Sequence, residues 1–195
     1  MLGNMFAKFT RPFAMSHLSF NGAESAAGSA LEIPAGHKRA SIAAGCFWGV
    51  EHLFRKQFKD RVGDYRVGYV GGNTASPSYR KVCSGSTGHA EALLLVYDPQ
   101  KVTYRELLEF FFKMHDPTTK DRQGGDVGTQ YRSGVFYFED GEEKVVQEVK
   151  EKVQKEWWKK PITTEVAKAG QWWDAEDYHQ KYLDKNPGGY ECPAQ

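Results

Sequence analysis

Cysteine is scarce in this chain: Cys46, Cys83 and Cys192 are the three in 195 residues, an odd number without C-x-x-C spacing. That argues against a secreted disulfide framework and against a thiolate zinc site, and leaves a reducing compartment with a working thiol as the simpler reading. Charge of one sign is lacking too: the formal net charge is +1, which makes no electrostatic case for nucleic acid. No apolar run approaches the roughly 18 residues that a membrane span requires. From Met1 to Ala23 there is no Asp or Glu, while Lys8 and Arg11 stand among Phe6, Phe9 and Phe13. This is the composition of a weak mitochondrial presequence or of plain disorder, so residues 1–38 read as a flexible N-terminal segment running through a Gly/Ser/Pro linker. Cytosol is the expected location, with the mitochondrion as the alternative. The remaining chain shares in a composition 40% hydrophobic and 14% aromatic, enough for one domain with a sizeable core.

The chain is organised around Gly45-Cys46-Phe47-Trp48-Gly49. This stretch closes a short apolar run, Ser41 to Ala44, and opens an amphipathic one, so it reads as a turn from strand into helix. Cys46 is expected in the first helical turn, where unpaired N–H groups and the positive end of the macrodipole favour a thiolate. Phe47, Val50, Leu53, Phe54 and Phe58 recur at helical spacing as a core stripe, and Trp48 falls on the other side with Glu51, His52 and Arg55. A Trp off the core stripe beside a Cys needs another reason to be there; for Cys46 the blander alternative to a nucleophile is a small buried hydrophobe.

Arg39 to Gly45 reads as a strand, Cys46 to about Gln57 as a helix, and Tyr65 to Val70 as a second strand before Gly71-Gly72. A polar loop, Asn73 to Gly88, carries Tyr79 and Cys83. His89 to Tyr97 holds the unbroken run Ala92-Leu93-Leu94-Leu95-Val96, the mark of a central strand buried on both faces. Thr103-Tyr104-Arg105-Glu106 fits a capping box, and the stripe from Tyr104 to Phe112 predicts a helix ending near His115. A long Gly-rich loop, Asp116 to Ser133, precedes a strand over Gly134 to Phe138 and a third helix from Asp140-Gly141 to about Trp157. Thr163 to Ala167 reads as a further strand, Tyr178 to Lys185 as a short helix, and Asn186 to Gln195 as a mobile C-terminal tail. Strand, helix, strand, strand, helix, strand is the order of a ferredoxin-like α/β sandwich. We therefore expect an α+β fold over residues 39–185, with a mixed, mostly antiparallel sheet and extra C-terminal elements.

Glu91 opens the apolar strand on the side of Leu93 and Leu95, where burial would raise its pKa and let it donate a proton near neutral pH. A solvated Glu at a strand end is the alternative. Tyr79 and Tyr131 lie in the two loops that such a sheet brings together, and each offers a phenolic O–H. Asp126, within Gly124-Gly125-Asp126-Val127-Gly128, binds an amide or water, or serves turn chemistry alone. His52, His89, His115 and His179 are scattered singly, without the spacing of a metal site.

Five ordered motifs then point to one family. Gly45-Cys46-Phe47-Trp48-Gly49, Tyr79-Arg80 with Cys83-Ser84-Gly85, Gly88-His89-Ala90-Glu91, His115-Asp116-Pro117 and Gly128-Thr129-Gln130-Tyr131-Arg132-Ser133 together resemble peptide methionine sulfoxide reductase of the A type. The resemblance runs from about Arg39 through Tyr178-His179-Gln180 to the C-terminus. It implies that Cys46 attacks the sulfur of methionine-S-sulfoxide, that Phe47 and Trp48 hold the methyl group, and that Glu91, Tyr79 and Tyr131 bind the oxygen. Asp126 matches a further active-site position. Methionine leaves with Cys46 as a sulfenic acid, which condenses with a second thiol. By resemblance that resolving thiol is Cys192, with Cys83 as the alternative, and thioredoxin reduces the disulfide. No metal, flavin or nicotinamide is required on this chain, and a monomer is expected. Two rival readings stay open from sequence: another thiol enzyme with His52 or His179 as base, and a ferredoxin-like binding module.

Overall fold

The computed structural model describes residues 32–190. The expectations for residues 1–31 and for Cys192 lie outside the described residues. In chain order the strands are β1 (Lys38–Ala44), β2 (Val62–Val70), β3 (Ala90–Tyr97), β4 (Arg122–Gln123), β5 (Asp126–Val127), β6 (Ser133–Tyr137), β7 (Glu165–Lys168) and β8 (Trp173–Asp174). The helices are α1 (Phe47–Phe58), α2 (Tyr79–Cys83), α3 (Tyr104–Met114), α4 (Glu142–Glu156) and α5 (Tyr182–Lys185).

Six strands form one sheet in the order β7-β6-β1-β3-β2-β8, antiparallel throughout except for the parallel pair β6–β7. Its middle, β6-β1-β3-β2, is the ferredoxin-like arrangement expected from the element order, and the sheet is mixed but mostly antiparallel. All eight side chains of β3 are buried. Leu93, Leu95 and Tyr97 face a large core shared with Phe47, Val50, Phe54 and Phe58 of α1, with α3 and with α4. Ala90, Ala92 and Leu94 face a smaller cluster with Phe136 and Trp172. That second cluster explains a continuous apolar run in an antiparallel sheet, where one wet face would have imposed alternation.

Local chemistry sets the helix starts. Gly45 has φ +89°, a conformation that lets the chain swing from β1 into α1 without a Cβ clash. Thr103 and Glu106 form the reciprocal capping box at the start of α3. At the other edge, β8 crosses β2 so closely that a Cβ on Gly68 would lie 2.3 Å from the Trp173 carbonyl oxygen.

The structure departs from the sequence expectations at small elements. The loop after β2 contains the five-residue helix α2, and the Asp116–Ser133 loop contains the β4–β5 hairpin and a 3-10 turn at Thr129–Tyr131. The helix expected over Tyr178–Lys185 covers only its second half. Gln180 is drawn out of helical geometry because its side-chain amide pairs with both the N–H and the C=O of Val67, extending the β2 edge.

Candidate active site

The register brings four strand ends to one end of the sheet: Ala44 opposes Ser133, and Val70 opposes Ala90. Cys46 occupies the N-cap position of α1, one residue before the first helical turn in which the sequence placed it, and is 7% exposed. The first N–H of the helix, that of Phe47, donates to Glu91 Oε2 at 3.2 Å. A helix N-terminus leaves such donors without intrahelical partners, and here the neighbouring strand supplies the acceptor. Glu91 is 1% exposed, its Oε1 has no hydrogen-bond partner, and burial raises its pKa to about 8. The Phe47 N–H opposes that rise and the Asp126 charge adds to it. A carboxyl in this setting holds its proton at neutral pH and has one oxygen available to deliver it.

Two phenols stand near this carboxyl. Tyr79 is the first residue of α2 and hydrogen-bonds Cys83 one turn later; its pKa is raised by burial, by that bond and by Glu91. Tyr131 ends the 3-10 turn, which Arg132 braces: Nη1 donates to the Thr129 carbonyl oxygen at 2.9 Å. Burial raises the Tyr131 pKa, with Glu91, Cys83, Asp126 and Cys46 all within electrostatic reach. Both phenols therefore remain neutral donors. Asp126, in the β4–β5 hairpin, accepts from the Tyr190 hydroxyl at 3.1 Å and has its other oxygen buried without a partner. Cys83 is exposed at the end of α2, with its thiol pKa pushed up by partial burial.

The apolar side is built from α1 and the C-terminal segment. Trp48, half-buried off the core stripe, stacks on Tyr182 at 3.8 Å and 12° between planes, and its indole N–H donates to His179 Nδ1 at 3.0 Å. Phe47 is fully buried, with its ring 5.0 Å from that of His179 and 6.0 Å from that of Tyr69. Burial lowers the His179 pKa to about 4, so its imidazole is neutral and Nδ1 is free to accept. With Nδ1 engaged by Trp48 and its ring packed against Phe47 and Tyr79, His179 is a poor base for a hydrolase. Glu51, expected on the outer face of α1, is instead 2% exposed beneath the returning C-terminal segment. Its Oε2 accepts from the Lys181 N–H at 2.8 Å, and burial raises its pKa to about 7.

The structure thus brings Cys46, Phe47, Trp48, Tyr79, Glu91, Asp126 and Tyr131 to one end of the sheet. Tyr69, Glu176, Tyr182 and Tyr190 also brace this region and were not named as site residues from sequence, and His179, weighed there only as the base of a rival thiol enzyme, joins them; the family-like stretch from Tyr178 to Tyr190 pointed toward His179, Tyr182 and Tyr190. Among the described residues no group of three or more His, Cys, Asp or Glu side chains is placed to hold a metal ion, and no helix is long and apolar enough to cross a membrane.

Comparison with known proteins gives a consistent result. A family model described as peptide methionine sulfoxide reductase matches residues 38–195. A peptide methionine sulfoxide reductase of Saccharomyces cerevisiae is 48% identical over 166 residues, covering 82% of this chain and 90% of that protein. Among solved structures, reduced Mxr1 from Saccharomyces cerevisiae superposes with a TM-score of 0.81 at 45% identity, covering 87% of this chain and 97% of that one. Mxr1 in complex with Trx2 matches with a TM-score of 0.59 at 34% identity, covering 81% and 94%.

Proposed function

The chain belongs to the peptide methionine sulfoxide reductase family, and from that premise we propose which of its residues carry each step of the reaction. The enzyme is an oxidoreductase that reduces methionine-S-sulfoxide to methionine by thiol chemistry and is recycled by thioredoxin. The yeast Mxr1–Trx2 complex supports thioredoxin as the reductant. Cys46 is the nucleophile. Its sulfur attacks the sulfoxide sulfur while the methyl group rests against Phe47 and Trp48. The oxygen, a poor leaving group until protonated, takes the proton of Glu91, with the Tyr79 and Tyr131 hydroxyls donating hydrogen bonds to it. The oxygen leaves as water with the Glu91 proton and the thiol proton, so Cys46 is joined to the substrate sulfur as a sulfonium. A water then attacks the Cys46 sulfur, the sulfur–sulfur bond breaks, methionine departs, Glu91 regains its proton and Cys46 is left as a sulfenic acid. Asp126, through the Tyr190 hydroxyl, orders the rim on the oxygen side.

One observation carries this assignment: the buried carboxyl of Glu91 is pinned by the N–H of Phe47, the residue next to Cys46, and holds its proton at neutral pH. Cys192 then attacks the sulfenic sulfur, expelling water and leaving a disulfide that thioredoxin reduces by exchange. We propose that residues 39–185 perform the catalysis, that the segment from Asn186 presents the resolving thiol, and that the enzyme acts as a monomer in the cytosol. The acid-free composition of Met1 to Ala23 favours the mitochondrion as the alternative location. Identical cytosolic distributions of the full-length and Met15-start forms would exclude it.

The deciding experiment separates the two epimers of peptide-bound methionine sulfoxide and follows turnover with thioredoxin, its reductase and NADPH. Consumption of the S epimer alone, abolished by Cys46→Ser, is the expected result. No turnover of either epimer, even with a chemical dithiol, would leave the scaffold without its reaction.

A further inference from the structure

One side chain outside the chemistry ties together the elements that wall the pocket. Glu176 Oε2 accepts from the Tyr69 hydroxyl of β2 at 2.8 Å, and Oε1 accepts from the backbone N–H of Tyr79 at 2.9 Å. On its other side Oε2 lies 3.9 Å from His179 Nε2, and His179 Nδ1 holds the Trp48 indole N–H at 3.0 Å. A single carboxylate therefore reaches β2, the start of α2 and, through one imidazole, the indole on α1.

The α2 contact matters most. A helix of five residues has almost no stability of its own, and its first N–H groups are orphans. Ser78, in the N-cap position, makes no side-chain capping bond. Glu176 supplies that cap from 97 residues away, and Tyr79 is the residue whose N–H it holds. The position of the Tyr79 phenol consequently follows that of Glu176. On the other wall, His179 accepts from Trp48 only in the tautomer with its proton on Nε2, and a carboxylate oxygen facing Nε2 favours that tautomer. The backbone N–H of His179 also donates to the backbone carbonyl of Glu176 at 2.8 Å, which sets imidazole and carboxylate on one turn.

We propose that Glu176 is a positioning residue for the reduction step, holding Tyr79 on the oxygen side and, through His179, Trp48 on the methyl side. This rests on the assignment of the Cys46 pocket given above. Glu176 contacts neither substrate nor reacting atoms in this scheme. It sets the separation of two groups that do, and a displacement of about 1 Å in such groups is enough to slow a reaction about a hundredfold.

The test measures two half-reactions separately: methionine formed in a single turnover by prereduced enzyme, and reduction of the oxidised enzyme by thioredoxin. Glu176→Ala should lower the single-turnover rate by about 10- to 100-fold and raise KM, with the thioredoxin step at the wild-type rate. Glu176→Gln should recover part of the rate, because it restores the Tyr79 arm while its NH2 takes the Oε2 place facing His179 Nε2 and no longer favours the tautomer that holds Trp48. Its amide oxygen can accept from the Tyr79 N–H while its NH2 donates to the Tyr69 oxygen, whose hydroxyl turns to receive it. Glu176→Asp, one methylene shorter and able to reach one donor at a time, should fall between. A wild-type single-turnover rate in Glu176→Ala, equal slowing of both half-reactions, or a Glu176→Gln as slow as Glu176→Ala would overturn the proposal. If Glu176→Ala does not fold, a wild-type rate in Glu176→Asp does the same. Failure of the underlying assignment looks different: the wild type itself would form no methionine.

Discussion

Replacing Glu91 by Gln isolates the proton from the shape of the site. A carboxyl titrating at about 8 is protonated in roughly nine molecules of ten at pH 7, whereas one at its ordinary 4.5 is protonated in about three of a thousand. Burial, and with it the 1% exposure of Glu91, accounts for that difference of more than a hundredfold in available acid. The Gln amide oxygen can still accept from the Phe47 N–H, so the start of α1 stays in place, and its NH2 can hydrogen-bond a sulfoxide oxygen without releasing a proton. The single-turnover rate of methionine formation by prereduced enzyme should fall by about 10²- to 10⁴-fold, the usual worth of a positioned general acid. In the wild type that rate should decline about tenfold per pH unit above pH ~8 as Glu91 ionises, and this limb should be absent from Glu91→Gln. A variant with the wild-type rate, or one that keeps the alkaline limb, would assign the proton to another group.

The same carboxyl makes a thermodynamic signature. The folded chain holds the Glu91 proton up to about 8 and the unfolded chain releases it near 4.5. Between those values the native state binds more protons, so stability falls as pH rises. The contribution is fully present below 4.5 and lost through about 8, with a total of up to about 5 kcal/mol. Denaturant melts of wild type and Glu91→Gln across this window should therefore show a difference that grows in favour of the variant as pH rises. A pH-independent difference would mean that Glu91 is ionised in the folded protein. Glu51, raised to about 7 by burial, acts in the same direction in both proteins and cancels from the comparison.

Cys192→Ser should leave a single turnover of methionine formation intact and abolish thioredoxin-dependent recycling; full turnover in this variant would move the resolving role to Cys83. Phe54, fully buried with its ring 5.6 Å from Phe58 and 4.9 Å from Phe110, lies away from the reacting groups. Phe54→Ala should cost about 3–5 kcal/mol in denaturant unfolding without changing the single-turnover rate of the folded fraction, and a loss below about 1 kcal/mol would contradict the packing.

What could be read from sequence divides by the range over which each side chain finds its partners. The α1 stripe, the β3 run and the Thr103–Glu106 capping box are local patterns with a period or a fixed offset, and the structure reproduces them within a residue or two. Glu91 belongs with these, because strand alternation and its apolar neighbours place it facing the core with Leu93 and Leu95. Glu176 has no such frame, and for Glu51 the period of α1 pointed outward, where a solvated carboxylate is the ordinary expectation. Each finds its partner far off in the chain, Tyr69 at 107 residues and Lys181 at 130. His179 is the same case, a lone histidine whose partner Trp48 is 131 residues away. The small elements escaped for a related reason: α2 and β8 are too short to have a period, and they exist because Glu176 caps one and the approach to Gly68 permits the other. The nucleophile and its acid were thus legible as chemistry on regular elements. The walls around them are made when the segment after β8 folds back over α1 and α2, an event recorded in the sequence only as the family-like stretch from Tyr178 to Tyr190. That segment turns a cysteine at a helix start into a pocket with an oxygen side and a methyl side, and Glu176 is where the two sides are joined.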